Sequence, residues 1–359
     1  MKTYIIFLLF IILASCNKSN SVYLENITII NQNVPEVNKE SVSIDLEFLA
    51  TPNIAVCDSL LICYNIKPID NCFFSIYNIK EQKLLGNFCL KGRGSHEVIN
   101  TMLLRQVDVT GDRELVADLY AYNNNKLLTW NITKSLASES TVYDEIIPVD
   151  WKQYYKSICR FNFRMNDDIK ILHIPVSTIG INKFTPMHYS VFSTKKNKEI
   201  KNIPILKKAI ISKTPYYSTE MLSYTEDCVK PDKTKIAFGM TYAPIFGILD
   251  IESRHIDTFS LEQSFKFSDL TEGALPIWHF KNLQADENKI YALYHGDYEP
   301  RTGKAKSHDK SIVYVLTWDG KLLEKLILDR EVYCIALDRT NSYLYGVDPS
   351  IETLYRYQL

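Results

Sequence analysis

Almost the whole chain alternates between short runs of β-branched, aromatic and aliphatic residues and polar turns, a pattern that confines it to an all-β architecture. Residues 60–66, 72–77 and 84–90 read as three strands of an antiparallel meander, with turns expected at Lys67-Pro68-Ile69-Asp70 and Lys80-Glu81-Gln82-Lys83. The pattern returns at 115–121 and 126–132 around Asn123-Asn124-Asn125, and at 236–240, 245–250 and 256–259 with a turn near Ala243-Pro244. It is clearest towards the C-terminus, where 290–294, 311–318, 322–328, 334–337 and 343–347 are punctuated by Asp319-Gly320 and Asp338-Arg339-Thr340-Asn341. Meanders recurring every ~40–50 residues are the signature of propeller blades. Residues 195–218, lysine-rich and carrying Pro204 and Pro215, are expected as a long loop or a poorly patterned blade. Residues 22–49 alternate in part and are expected to lend the last blade a strand that closes the ring and removes an exposed edge.

The N-terminus has a different character. Lys2 precedes an apolar run from Tyr4 to Leu13, shorter than the ~20 residues needed to cross a bilayer and ordered as in a signal peptide. Leu13-Ala14-Ser15-Cys16 resembles the lipobox of bacterial lipoproteins. The resemblance implies cleavage before Cys16 and acylation of that cysteine, and two or more acyl chains anchor a protein stably. The expected organisation is a signal peptide over 1–15, a lipidated N-terminus and spacer over 16–40, and a propeller domain over 41–359. The expected location is the cell envelope, as an outer-membrane lipoprotein facing the periplasm or the cell surface, with the lipid bilayer as its partner through Cys16.

Basic and acidic residues number 41 and 42, for a net charge of −1. No global field draws in a phosphate backbone, so nucleic acid is not an expected partner. Acylation of Cys16 leaves an odd set of seven cysteines. Cys63 and Cys72 are equidistant from Lys67-Pro68 and form the candidate disulfide across that hairpin; the others are expected mainly as buried apolar thiols. No two cysteines have C-x-x-C spacing.

The run from Trp318 to Asp329, continued by Tyr343-Leu344-Tyr345-Gly346-Val347, resembles the last blade of the TolB-like six-bladed β-propeller lipoproteins of Bacteroides-type bacteria. Ile290-Tyr291-Ala292-Leu293-Tyr294 with His295-Gly296 is similar to the preceding strand and turn, and Val229-Lys230-Pro231-Asp232 with Lys233-Thr234-Lys235-Ile236-Ala237 to a blade opening. The stretch 91–97 resembles the family's glycine-rich loop, with Ser95-His96 where that family carries Pro-Gly. The resemblance covers most of the mature chain. It implies a six-bladed propeller of antiparallel four-stranded meanders, an envelope location and a binding role.

Local motifs for chemistry are incomplete. Gly92-Arg93-Gly94 is followed by Glu97 where a dinucleotide loop carries its third glycine, and His96-Glu97 meets Asn100 where a metalloprotease carries its second histidine. The segment 108–112 opens like a calcium loop, but Arg113 replaces the turn glycine and Leu119 the bidentate acid. Neither a G-x-S-x-G elbow nor a P-loop occurs. No cofactor, metal or catalytic residue is assigned. The densest titratable stretch runs from His295 to Asp309, and His295, Asp297 and Arg301 are the candidate ligand-binding groups. The expected function is a binding or scaffold module for a peptide, glycan or partner protein. The alternative is a hydrolase or lyase acting on a glycan or peptide, with its site dispersed over several blades.

Overall fold

The computed structural model describes residues 22–46, 53–101, 104, 106–122, 125–149, 161–178, 184–213, 218–271, 276–298, 309–348 and 352–359. Six small antiparallel sheets follow one another along the chain as the blades of a six-bladed β-propeller. Blade 1 runs from its inner strand outward as Ile54–Cys57, Leu60–Ile69, Cys72–Asn78 and Lys83–Leu90. Blade 2 is Val107–Val109, Leu115–Ala121, Lys126–Asn131 and Tyr143–Pro148. Blade 3 is Phe161–Arg164, Ile169–Ile174, His188–Ser193 and Lys198–Pro204. Blade 4 is Thr225–Val229, Lys235–Met240, Ile245–Asp250 and Ile256–Ser260. Blade 5 is Ile277–Ala285, Lys289–Tyr298, Ser311–Thr317 and Leu322–Leu328. Blade 6 takes Cys334–Asp338, Tyr343–Asp348 and Thr353–Gln358 from the C-terminus, and its outer strand, Val42–Ile44, from the N-terminus.

The core is distributed among the seams between blades. Apolar clusters fill each seam in turn: Phe74 and Trp130 between blades 1 and 2, Tyr120 and Phe192 between 2 and 3, Phe163 and Phe238 between 3 and 4. Phe246 and Phe280 follow between blades 4 and 5, Leu293 and Ile335 between 5 and 6, and Leu61 and Tyr345 between 6 and 1. The middle of each sheet is therefore buried on both faces, and strands such as Cys72–Asn78, Lys235–Met240 and Cys334–Asp338 read as near-continuous apolar runs, while outer strands such as Lys198–Pro204 alternate. Packing is close enough to dictate residue size. A Cβ built on Gly239 of blade 4 would lie 2.5 Å from Cγ of Phe280 in blade 5.

The N-terminal segment is a strap. Ile27–Ile29 pairs in parallel with the outer strand of blade 4, and Glu36–Lys39 with the outer strand of blade 5. Val42–Ile44 then pairs antiparallel with Leu354, Tyr355 and Arg356. Between the strands, Gln32 donates to Leu261 O at 2.6 Å, and both the backbone N–H and the hydroxyl of Ser41 donate to Asp329 Oδ2. The expected ring-closing strand is thus present. The expected spacer is not one from residue 22 onward, because strands with ladder partners occupy it; Cys16 and the signal peptide lie outside the described residues.

The hairpin of blade 1 corrects a further expectation. The hairpin between the second and third strands of blade 1 turns at Asp70-Asn71, both with positive φ (48° and 64°), the geometry of a two-residue primed turn. Lys67 and Pro68 belong to the preceding strand, where the register is irregular between Tyr64 and Ile69. Cys63 therefore faces Ser75, Cys72 faces Ile69, and both thiols are free instead of forming a disulfide. Of the two alternatives for residues 195–218, the poorly patterned blade holds over Lys198–Pro204, which is the outer strand of blade 3.

Candidate functional site

In a propeller the first strand of every blade lines the central channel, so residues at the ends of these strands meet although they are far apart in sequence. Here the C-terminal ends of the inner strands of blades 1, 2, 4, 5 and 6 surround a cavity of about 410 Å³. That size falls within the ~300–1,000 Å³ typical of ligand clefts. Its wall carries both signs of charge: Asp58, Asp108 and Asp338 against Lys233 and Arg339, with Gln106 and Gln284 between them.

Asp108 and Lys233 form an ion pair, Oδ2 to Nζ 3.4 Å, that joins blade 2 to the turn of blade 4. Gln106 Nε2 donates to Asp108 Oδ1 at 2.8 Å. Burial raises the Asp108 pKa, and the Lys233 ammonium and the Gln106 amide oppose that rise. Asp338 is committed to its own turn, accepting from the backbone of Thr340 and Asn341. Arg339 donates Nε to Ala285 O at 2.8 Å. Its two Nη nitrogens have no hydrogen-bond partner among the described residues. Cys57 lies on the same wall, and burial, with Asp58 nearby, pushes its thiol pKa up. A raised pKa makes it a poor nucleophile.

Two polar clusters lie deeper, between blades. Lys170 of blade 3 pairs with Asp118 of blade 2 at 2.5 Å, with side chains 4% and 3% exposed, and Thr129 bonds both. In the next seam, Asp227 accepts from Tyr189 Oη at 2.9 Å and from Thr225 Oγ1 at 2.5 Å, and its Oδ2 lies 3.2 Å from His173 Nδ1. Thr, His and Asp are the residue types of a nucleophilic triad. In this group Thr225 Oγ1 and Asp227 Oδ2 both meet the same ring nitrogen, His173 Nδ1, at 3.2 Å each, whereas a triad places hydroxyl and carboxylate on opposite nitrogens of the imidazole. His173 and Asp227 are both 0% exposed, so substrate does not reach them.

The residues singled out in the sequence are dispersed. His295 and Asp297 lie on the second strand of blade 5, which extends to Tyr298, so the expected loop is strand at that point. The His295 ring sits 6.0 Å from that of Trp278, and Asp297 is the ladder partner of Trp278. Arg301 lies outside the described residues. The Gly92–Gly94 loop is closed by its own acid, since Gly94 N donates to Glu97 Oε2 at 2.8 Å, and a Cβ on Gly92 would strike the same oxygen. Its anion position is filled from within. The channel-mouth residues went unnoticed in the sequence because no local spacing joins them; Asp108 and Lys233 are 125 positions apart.

No protein-family profile matches the chain, and no curated protein matches its sequence. Solved structures do. A member of the DUF4221 family from Bacteroides vulgatus superposes with a TM-score of 0.53 at 12% identity, over 94% of this chain and 96% of that one. A Bacteroides fragilis protein described as exported gives 0.50 at 10% identity, over 90% and 99%. No helix among the described residues is long and apolar enough to cross a membrane. At these identities the likeness establishes the fold: the chain shares a six-bladed propeller with Bacteroides proteins over nearly its full length.

Proposed function

We propose that the protein is a binding module of the cell envelope, akin to the TolB-like lipoproteins and held to a bilayer by acylated Cys16, which takes a peptide or glycan segment at its channel mouth. The 410 Å³ cavity carries this reading, because it gathers charged side chains of both signs from four blades, with Gln284 of a fifth, at one channel mouth. Mixed charge suits a zwitterionic or hydroxyl-rich ligand better than a purely apolar one. The lipobox-like leader and the exported Bacteroides neighbour support the location. Binding is favoured over the hydrolase or lyase alternative because the buried Thr225, His173 and Asp227 grouping is sealed inside a blade seam, away from substrate.

Calorimetric titration with a panel of short peptides and envelope glycans tests the proposal, using wild type, Arg339→Ala and Lys233→Ala. A panel member is expected to bind wild type, and each variant to lose about tenfold, or about 1.4 kcal/mol. Equal affinities in folded variants, checked by circular dichroism, would move the site elsewhere.

A further inference from the structure

Strand direction places a second, smaller cavity at the other end of blades 5 and 6. It measures about 100 Å³ and is lined by Lys281, Tyr294, His295, Lys310 and Glu331. It is built by irregular backbone: the inner strand of blade 5 slips register on either side of Phe280, leaving His279 and Lys281 out of the ladder, and Gly296 opposite has φ +73°. Bulges of this kind re-aim side chains and are common beside functional sites.

What the bulge presents is an ammonium without an anion. Lys281 Nζ lies over two aromatic faces, 4.2 Å from the Tyr333 ring centroid and 5.3 Å from that of Trp278. No carboxylate comes within ion-pair distance of it among the described residues; Glu331 acts on it only at longer range. Trp278, whose ring lies beneath the Lys281 ammonium, carries a second donor without an acceptor, since its Nε1 is buried with no hydrogen-bond partner among the described residues. A partly buried charge without a counter-ion is costly, and an arriving anion recovers that cost.

We propose that this cavity is a carboxylate subsite in which Lys281 supplies the counter-charge. The volume is well below the ~300 Å³ of a cleft enclosing a whole ligand, so the site takes an end group. A peptide C-terminus and the acid of a hexuronic sugar share that chemistry. Burial lowers the Lys281 pKa to about 8, against the pull of Glu331. Carboxylate binding, which requires the ammonium, therefore weakens as pH rises above that value, while burial pushes the Tyr294 and Tyr333 hydroxyls up, away from this range.

Calorimetry on the full chain with N-acetylalanine, glucuronate and N-acetylalaninamide tests this. At least one acid is expected to bind, more than about tenfold tighter than the neutral amide. The acid that binds identifies the source, peptide or glycan. Lys281→Met should lose about tenfold, and wild-type affinity should fall about tenfold per pH unit above pH 8. The proposal is overturned if neither acid binds at about 50 mM, if acid and amide bind alike, or if folded Lys281→Met keeps wild-type affinity. Should that variant not fold, a flat wild-type pH profile overturns it equally well.

Discussion

His279 lies on the inner strand of blade 5 with its Nδ1 3.0 Å from the Tyr294 hydroxyl, and burial holds its pKa down to about 3. His188 is buried as well, and its pKa is lowered for the same reason. In the unfolded chain both imidazoles protonate near pH 6.5, so between that pH and their folded pKa values the unfolded state binds more protons. The stability contributed by keeping these two histidines neutral is therefore complete above about pH 6.5 and declines as pH falls, by up to about 1.4 kcal/mol per pH unit for each. His279→Gln is expected to shift the acid-unfolding midpoint, followed by tryptophan fluorescence, to lower pH. An unchanged midpoint would show that another group governs acid unfolding.

At the scale of strands and seams, ion pairs take the place of apolar contacts at chosen points. Removing Lys170 alone strands Asp118 in the seam between blades 2 and 3, and breaking a buried pair in this way costs about 3–5 kcal/mol. Lys170→Ala should show that loss in urea unfolding, whereas Lys170→Met combined with Asp118→Leu should recover most of it; additive losses in the double variant would contradict the pairing. The same residues explain what the sequence concealed. Blades 1 and 6 were legible because strands such as Cys72–Asn78 and Tyr343–Asp348 are compact apolar runs bounded by turn residues. The strands Ile169–Ile174 and His188–Ser193 of blade 3 carry Lys170, His173 and His188 at buried positions, so the apolar signal is interrupted where the polar stitches lie. The misread hairpin of blade 1 has a local cause: Pro68, a turn former by habit, stands at a strand irregularity, and the turn falls on Asp70-Asn71, which tolerate positive φ. The channel mouth was illegible for a topological reason, since only ring closure brings Asp108, Lys233 and Arg339 together.

For the molecule as a whole, the ring stands or falls with its closing strand. Ile44 is buried in the seam between blades 6 and 1, and Ile44→Ala is expected to cost about 2–5 kcal/mol. A loss below about 0.5 kcal/mol in chemical unfolding, the level of an ordinary surface change, would mean that closure contributes little. The strap also orders events in time. Ile44 finds its ladder partner at Leu354, near the far end of the chain, and pairings of such long sequence separation form slowly. Each meander can form from neighbouring residues as the chain emerges N-terminal end first. The outer strand of blade 6, however, has to wait for almost every other residue, and until then Val42–Ile44 and the strand Thr353–Gln358 expose unpaired edges to other chains. Folding therefore carries its greatest aggregation hazard in its last step, and a chain truncated shortly before Thr353 would remain an open arc whose two ends seek each other on neighbouring molecules.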